Sequence, residues 1–176
     1  MNIVIRKACI DDLNSIAEIY ARIHTAEENG DVVIGWERGI YPERETAQAA
    51  LERGDIFVLE EDGLILGTAV INHEQVDVYE GAGWKYDAED DQVMVMHTLV
   101  VDPDFLGRGY GSQFVKFYEV YAHDNGSDYL RIDTNARNKV ARAFYGKLGY
   151  EEIGIVPCVF NGLEGVQLVL LEKCLI

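Results

Sequence analysis

Residues 92–103, QVMVMHTLVVDP, form a run of apolar and β-branched residues without strict alternation. A strand with one wet face alternates in polarity, so a continuous run of this length fits a central strand buried on both faces. The run stops at Asp102-Pro103, and Leu106-Gly107-Arg108-Gly109-Tyr110-Gly111 follows as a glycine turn. After it GSQFVKFYEVYAHD carries the helical period. A buried strand, a glycine turn and a helix in that order bring free backbone N–H groups and the positive end of a helix dipole together, which suits a phosphate. No Lys-Ser or Lys-Thr follows the turn, so it is not a P-loop, and Ser112 stands where a dinucleotide fingerprint needs its third glycine. Plain turn geometry also uses glycines at such a junction.

The remaining chain predicts the elements around this unit. NIVIRKA alternates like a strand, and Asp11 or Asp12 caps a helix with apolar residues at Leu13, Ile16, Ala17, Ile19, Tyr20 and Ile23. An irregular stretch with Trp36 and Tyr41-Pro42 precedes a second helix over 43–53, which stops at Gly54. DIFVLEEDGLILGTAVI reads as a hairpin turning at Asp62-Gly63. Residues 73–91 form a long aromatic and acidic loop. SDYLRIDT is a strand, NKVARAFYGKLGY a helix closed by Gly149, and strands around 151–156 and 165–172 meet near Asn161-Gly162. The order β-α-α-β-β-β-α-β-α-β-β predicts an α/β chain: an antiparallel first half, two αβ units and a closing hairpin around one mixed sheet flanked by helices.

At 176 residues one continuous core is normal, so a single domain over 1–176 is expected. No stretch approaches the roughly 18 apolar residues of a membrane span, and MNIVIRKACIDD reaches charge too soon for a secretory signal. A soluble, cytoplasmic protein is expected. Cys9, Cys158 and Cys174 lie far apart and in no metal-ligand spacing, which reads as reduced, buried thiols. With 15 basic and 31 acidic residues the net charge is -16, a field that repels nucleic acid and anionic lipid.

Leu99-Val100-Val101-Asp102-Pro103, the glycine turn, and Asn138-Lys-Val-Ala141-Arg-Ala-Phe144-Tyr145-Gly-Lys147-Leu-Gly149-Tyr150 together resemble the GNAT acetyltransferases. In that family a VxP…(Q/R)xxGxG segment and a later NxxAxxFYxKxGF segment recur in this order. Leu106 departs from the pattern, standing where the family has Gln or Arg. The Arg131–Thr134 strand, the Trp36…Tyr41-Pro42 stretch and the Tyr79–Tyr86 loop are similar to a bacterial branch of the superfamily, and that similarity names no substrate.

The resemblance implies a mixed, mostly antiparallel GNAT-like sheet and an enzyme that moves an acetyl group from acetyl-CoA to an amine of a small molecule or peptide, with no metal required. A homodimer is compatible with it. By the same resemblance the backbone of Gly107, Arg108, Gly109 and Gly111 would hold the pyrophosphate, with the Arg108 guanidinium at hand. Backbone groups of Leu99 and Val101 would meet the pantetheine arm and the acetyl carbonyl. Asn138 matches an asparagine that binds the arm, although an Asn opening a helix is equally an N-cap. Tyr145, on the same helical face as Asn138 and Ala141, would protonate the departing thiolate. Attack needs a neutral amine, hence a base. His97 on the central strand is the first candidate, Asp133 the alternative, and a water chain a third. Trp36 is expected to pack, and the Tyr79–Tyr86 loop to line an acceptor pocket, where Asp87, Glu89, Asp90 and Asp91 would draw a cation. The reading from another class is a CoA-binding regulatory or scaffold protein with little turnover.

Overall fold

The structure, a computed structural model, describes residues 2–176. Its elements follow the expected order: β1 (Ile3–Lys7), α1 (Leu13–Asn29), α2 (Arg44–Arg53), β2 (Ile56–Glu61), β3 (Leu64–Asn72), β4 (Val93–Val101), α3 (Tyr110–Asp124), β5 (Tyr129–Asn135), α4 (Lys139–Lys147), β6 (Glu151–Phe160) and β7 (Leu163–Cys174). Seven strands make one sheet in the order β1-β2-β3-β4-β5-β7-β6. Only the β4–β5 pair is parallel; every other neighbour is antiparallel.

Turn chemistry sets the antiparallel registers. Asp62-Gly63 and Asn161-Gly162 are two-residue connections with both residues at positive φ (50° and 86°; 48° and 86°), the backbone that matches the twist of a tight hairpin. At the second of these the strands pair right up to the turn, as Phe160 opposite Leu163. That is why β6 and β7 run longer than the hydrophobic pattern alone suggests.

Period-2 alternation divides the sheet's apolar residues between two helical layers. Ile56 and Val58 of β2 face Leu13, Ile16 and Ile19 of α1 on one side. Phe57 and Leu59 of the same strand face the other side, where Phe114 and Tyr118 of α3 and Tyr145 of α4 pack with Met94, Met96 and Ile132. Each such buried side chain contributes roughly 1.5–3 kcal/mol. Strand β4 is buried on both faces from Val93 to Met96, as its sequence predicts, and again at Val100. It opens at His97, Thr98 and Leu99.

Three expectations change. Asp12 does not cap α1 directly: its carboxylate accepts the Cys9 N–H (2.8 Å) and both Arg6 Nη groups (2.7 and 2.9 Å), locking the single turn Ile10–Asp12 ahead of the helix. The cysteines are free but not buried: Cys9 is exposed ahead of the first turn, Cys158 is half-buried on the edge strand β6, and Cys174 is half-buried at the end of β7. The long loop expected over 73–91 runs to Gln92, carries two short turns of its own at Asp77–Tyr79 and Asp90–Gln92, and is pinned to the sheet. His73 Nδ1 bonds the Val93 carbonyl (2.7 Å), and Trp84 donates from Nε1 to the Tyr79 carbonyl (2.9 Å). Among the described residues, no helix is long and apolar enough to cross a membrane.

Candidate active site

The parallel pair β4–β5 is short. Val93, Met94 and Val95 pair with Tyr129, Leu130 and Arg131, and beyond Arg131 the two strands part. On its other edge β4 carries a bulge: Thr68 faces Val100 and Val70 faces His97, so Ala69 opposes both Thr98 and Leu99. Thr98 sits at φ 51°, a left-handed conformation costing a β-branched residue about 1–3 kcal/mol. A hydrogen bond between the Tyr41 hydroxyl and Thr98 Oγ1 holds it there. The bulge turns the C-terminal half of β4 away from β5. The wedge between the strands is a cavity of about 100 Å³. Its walls are Thr98 and Leu99 of β4, Asp133 to Asn135 of β5, Asn138, Ala141 and Tyr145 of α4, and the aromatic group Trp36, Tyr41 and Phe160.

Just past the wedge, β4 ends in an anchored corner. The Asp102 carboxylate receives Arg22 of α1 at 2.7 and 3.2 Å and the Asp104 N–H at 3.1 Å. The chain therefore leaves the sheet in a fixed direction into the glycine turn. Gly107 and Gly109 adopt φ 78° and 83°, which only glycine takes without strain, and Gly109 is the N-cap of α3. Among the described residues the N–H groups of Gly107, Arg108 and Gly109 have no backbone acceptor, and they lie exposed at the start of a 15-residue helix. Such a constellation receives an anion. Arg108 rests 5.0 Å over the Phe105 ring with its guanidinium exposed, and Gly111 packs a ring edge of Phe144 from α4. Val101 pairs with Gly67 and packs beneath Gly111 rather than facing the cavity.

Around the wedge, the expected residues divide. Tyr145 lines the cavity, and its hydroxyl has no hydrogen-bond partner among the described residues; burial and the Asp133 charge both push its pKa up, so it stays protonated. Asn138 plays both parts expected of it: Oδ1 accepts the Ala141 N–H (3.0 Å) as the cap of α4, while the residue lines the cavity. Asp133 lines the same cavity. Its Oδ2 accepts the Tyr79 hydroxyl (2.7 Å), and burial raises the carboxyl to about 6.

His97 does not reach this cavity. It lines the neighbouring groove with Arg53, Asn72 and Glu74, separated from Tyr145 by Tyr41, Thr98 and Phe160, which border both spaces. Asn72 donates from Nδ2 to Asp55 (2.9 Å), so its Oδ1 accepts from His97 Nε2 (2.9 Å) and fixes the tautomer. Burial lowers the His97 ring to about 4, leaving it neutral and a weak base.

Trp36 packs against two core clusters and also borders the cavity, in edge contact with Tyr41 at 5.9 Å, and Tyr41 in turn meets Phe160 at 5.7 Å. The Tyr79–Tyr86 loop lines a separate space with Asp87 and Arg131, where Trp84 lies beneath the Arg131 guanidinium at 4.1 Å and Tyr86 packs against Tyr129 at 5.8 Å. Sequence reasoning misses the bulge at Thr98, since nothing in HTLVV marks which residue takes positive φ.

Comparison with known proteins agrees with this geometry. The chain is 26% identical over 158 residues to an uncharacterized N-acetyltransferase of Methanocaldococcus jannaschii, covering 86% of this chain and 62% of that protein. It is 24% identical over 105 residues to the uncharacterized N-acetyltransferase YesJ of Bacillus subtilis, covering 60% and 57% of the two chains. It thus spans about three-fifths of the length of these two relatives. Among solved structures, a GNAT-family acetyltransferase from Streptococcus agalactiae superposes with a TM-score of 0.80 at 22% identity, over 98% of this chain and 95% of that one. The Salmonella typhimurium yncA structure, determined with its cofactor acetyl-CoA, gives 0.69 at 18% identity over 99% and 94%. At these identities the two structures speak for the fold alone. Residues 13–150, which include the central strand, the glycine turn and α4, match the Acetyltransferase (GNAT) family, and the chain belongs to it.

Proposed function

We propose that this protein transfers an acetyl group from acetyl-CoA directly to a primary amine of a small molecule or peptide. The observation that carries the reading is the wedge: one small cavity joins the unpaired half of β4, Asn138 and the unpartnered Tyr145 hydroxyl, next to an exposed glycine turn. These residues fit the cofactor. The N–H groups of Gly107, Arg108, Gly109 and Gly111 suit a pyrophosphate, and every charged residue of α4 (Lys139, Arg142, Lys147) is basic, a local exception in an acidic chain. Asn138 Nδ2 and the unpaired backbone at Leu99 suit the amide groups of a pantetheine arm, while Val101 supports the turn from below.

Acetyl-CoA supplies the activated carbonyl and a thiolate leaving group. The chain's own residues orient the reactants and stabilise the charge that develops. Backbone N–H groups on the splayed part of β4 face developing negative charge on the carbonyl oxygen. Tyr145 donates its proton to sulfur as the carbon–sulfur bond breaks. A proton taken at His97 would need a relay through the Tyr41–Thr98 contact to reach the wedge.

Free-thiol release from acetyl-CoA, measured against amino acids, polyamines, aminoglycosides and peptides, tests the proposal. Thiol release that depends on an amine, with matching N-acetylated product, is the expected result. Tight acetyl-CoA binding with no release across the panel would instead favour a CoA-binding protein without turnover.

A further inference from the structure

We infer that Asp133 of β5, held by a hydrogen bond from Tyr79, is the base that takes a proton from the acceptor ammonium, so that this chain carries its general base on β5 rather than on β4. The inference rests on the acetyl-transfer reading above. Three observations bear on it. Asp133 and Tyr145 line one cavity, whereas His97 lines another. The Tyr79 hydroxyl occupies Oδ2, while Oδ1 has no partner among the described residues and is not sealed from solvent. The third is the surroundings: Thr98, Tyr41, Trp36 and Phe160 bound the same space, an aromatic wall suited to an ammonium group beside a carboxylate.

The groups that share the field of Asp133 come from four elements: Tyr79 from the 73–92 loop, Tyr145 from α4, Tyr41 from the segment between α1 and α2, and Cys158 from β6. None is a cation. The nearest cation on its own strand, Arg131, is turned to Gln75 and Trp84. Burial therefore raises Asp133 and only the Tyr79 hydrogen bond opposes it, which leaves a carboxylate basic enough to hold a proton near neutrality.

The protons balance as follows. The ammonium gives one proton to Asp133 Oδ1, and the freed nitrogen lone pair bonds to the thioester carbonyl carbon. The carbon–sulfur bond breaks, and sulfur takes the Tyr145 proton. The second proton leaving nitrogen restores Tyr145, and Asp133 releases its proton to solvent. The sum is an acetamide, a free thiol and one proton, with no other reactant.

The test is the pH profile of kcat/KM at saturating acetyl-CoA, using the best amine from the thiol-release panel. Wild type should show an acidic limb near the Asp133 pKa of about 6. Asp133→Asn should lose that limb and roughly 10²-fold or more in rate, with acetyl-CoA affinity unchanged and residual rate following deprotonation of the amine itself. Tyr79→Phe should keep the limb but move it to higher pH, because the hydroxyl stabilises the carboxylate; a purely structural tyrosine would not move it. A carboxyl-carbon NMR titration of the protein alone, compared with Asp133→Asn, identifies the same proton without turnover. If wild type transfers acetyl to no amine, both readings fall. If wild type transfers but Asp133→Asn keeps rate and limb, while His97→Gln removes them, the base is His97 and the inference is overturned.

Discussion

Tyr145 and Asp133 show how burial sets the chemistry available at one position. The Tyr145 hydroxyl is kept protonated by burial and by the carboxylate nearby, which suits it to the proposed role of donor to sulfur rather than of the base that first takes a proton from the ammonium. Tyr145→Phe should lower kcat by about 10²-fold and leave acetyl-CoA affinity nearly intact, because the hydroxyl acts only as charge reaches sulfur; steady-state kinetics beside calorimetric binding checks both. Asp133 shows the cost of a functional site. Its carboxyl rises from 3.8 to about 6, so the folded chain binds that proton more tightly than the unfolded chain. The contribution favours the fold below the lower value and is lost as pH rises through the upper one. Asp133→Asn should therefore raise stability by roughly 3 kcal/mol at mildly alkaline pH, seen as a higher Tm, and not at acid pH. Scanning calorimetry at the two pH values decides this. A lower Tm at alkaline pH would mean that the buried charge stabilises the fold. Both residues were visible in the sequence, Tyr145 through its place in the α4 motif and Asp133 only as an alternative. Nothing in RIDT distinguishes a carboxylate aimed into a cavity from one in solvent.

At the scale of elements, the site is a product of mismatched pairing. Strand β4 pairs with β3 from Val95 to Val101 but with β5 over only three residues, and the Thr98 bulge sets the divergence. The glycine turn completes it by starting α3 where the cofactor phosphates are proposed to lie. Gly109→Glu should abolish the rise in Tm that acetyl-CoA gives, since it brings a negative charge and a side chain to the anion cradle. Gly109→Ala carries the same backbone strain without the charge and should keep most of the rise. Equal responses from the two would remove the turn from the binding site. The elements themselves were legible because their signals are local: apolar periodicity, Asp62-Gly63, Asn161-Gly162 and the glycines that end helices. The wedge was not legible, because it depends on which strands become neighbours, and no local pattern states that β5 leaves β4 after Arg131. The placement of Trp36 and Trp84 has the same origin. Each tryptophan sits in an irregular segment, and only the folded chain shows that Arg131 takes the second.

The whole molecule carries a net charge of -16, yet the glycine turn proposed for an anionic cofactor holds Arg108, and the charged residues of α4, Lys139, Arg142 and Lys147, are all basic, Arg142 being paired with Glu152. Local sign matters more than net sign at such a site, since exposed charges beyond about 8 Å are screened at physiological ionic strength. The acidic remainder suits a cationic acceptor, which the aromatic wall and Asp133 are proposed to receive. Catalysis on this account belongs to the fold as a whole: the sheet supplies the opening, α4 the acid, β5 the base and the turn the anchor. The most direct test is a single-turnover experiment with protein in excess over acetyl-CoA, in which mass spectrometry follows the acetyl group on protein and acceptor. The account predicts one acetyl group on the amine, free thiol in equal amount and no acetylated protein at any time. An acetyl group first found on Cys158 or another side chain, or retained on coenzyme with every amine tried, would contradict it.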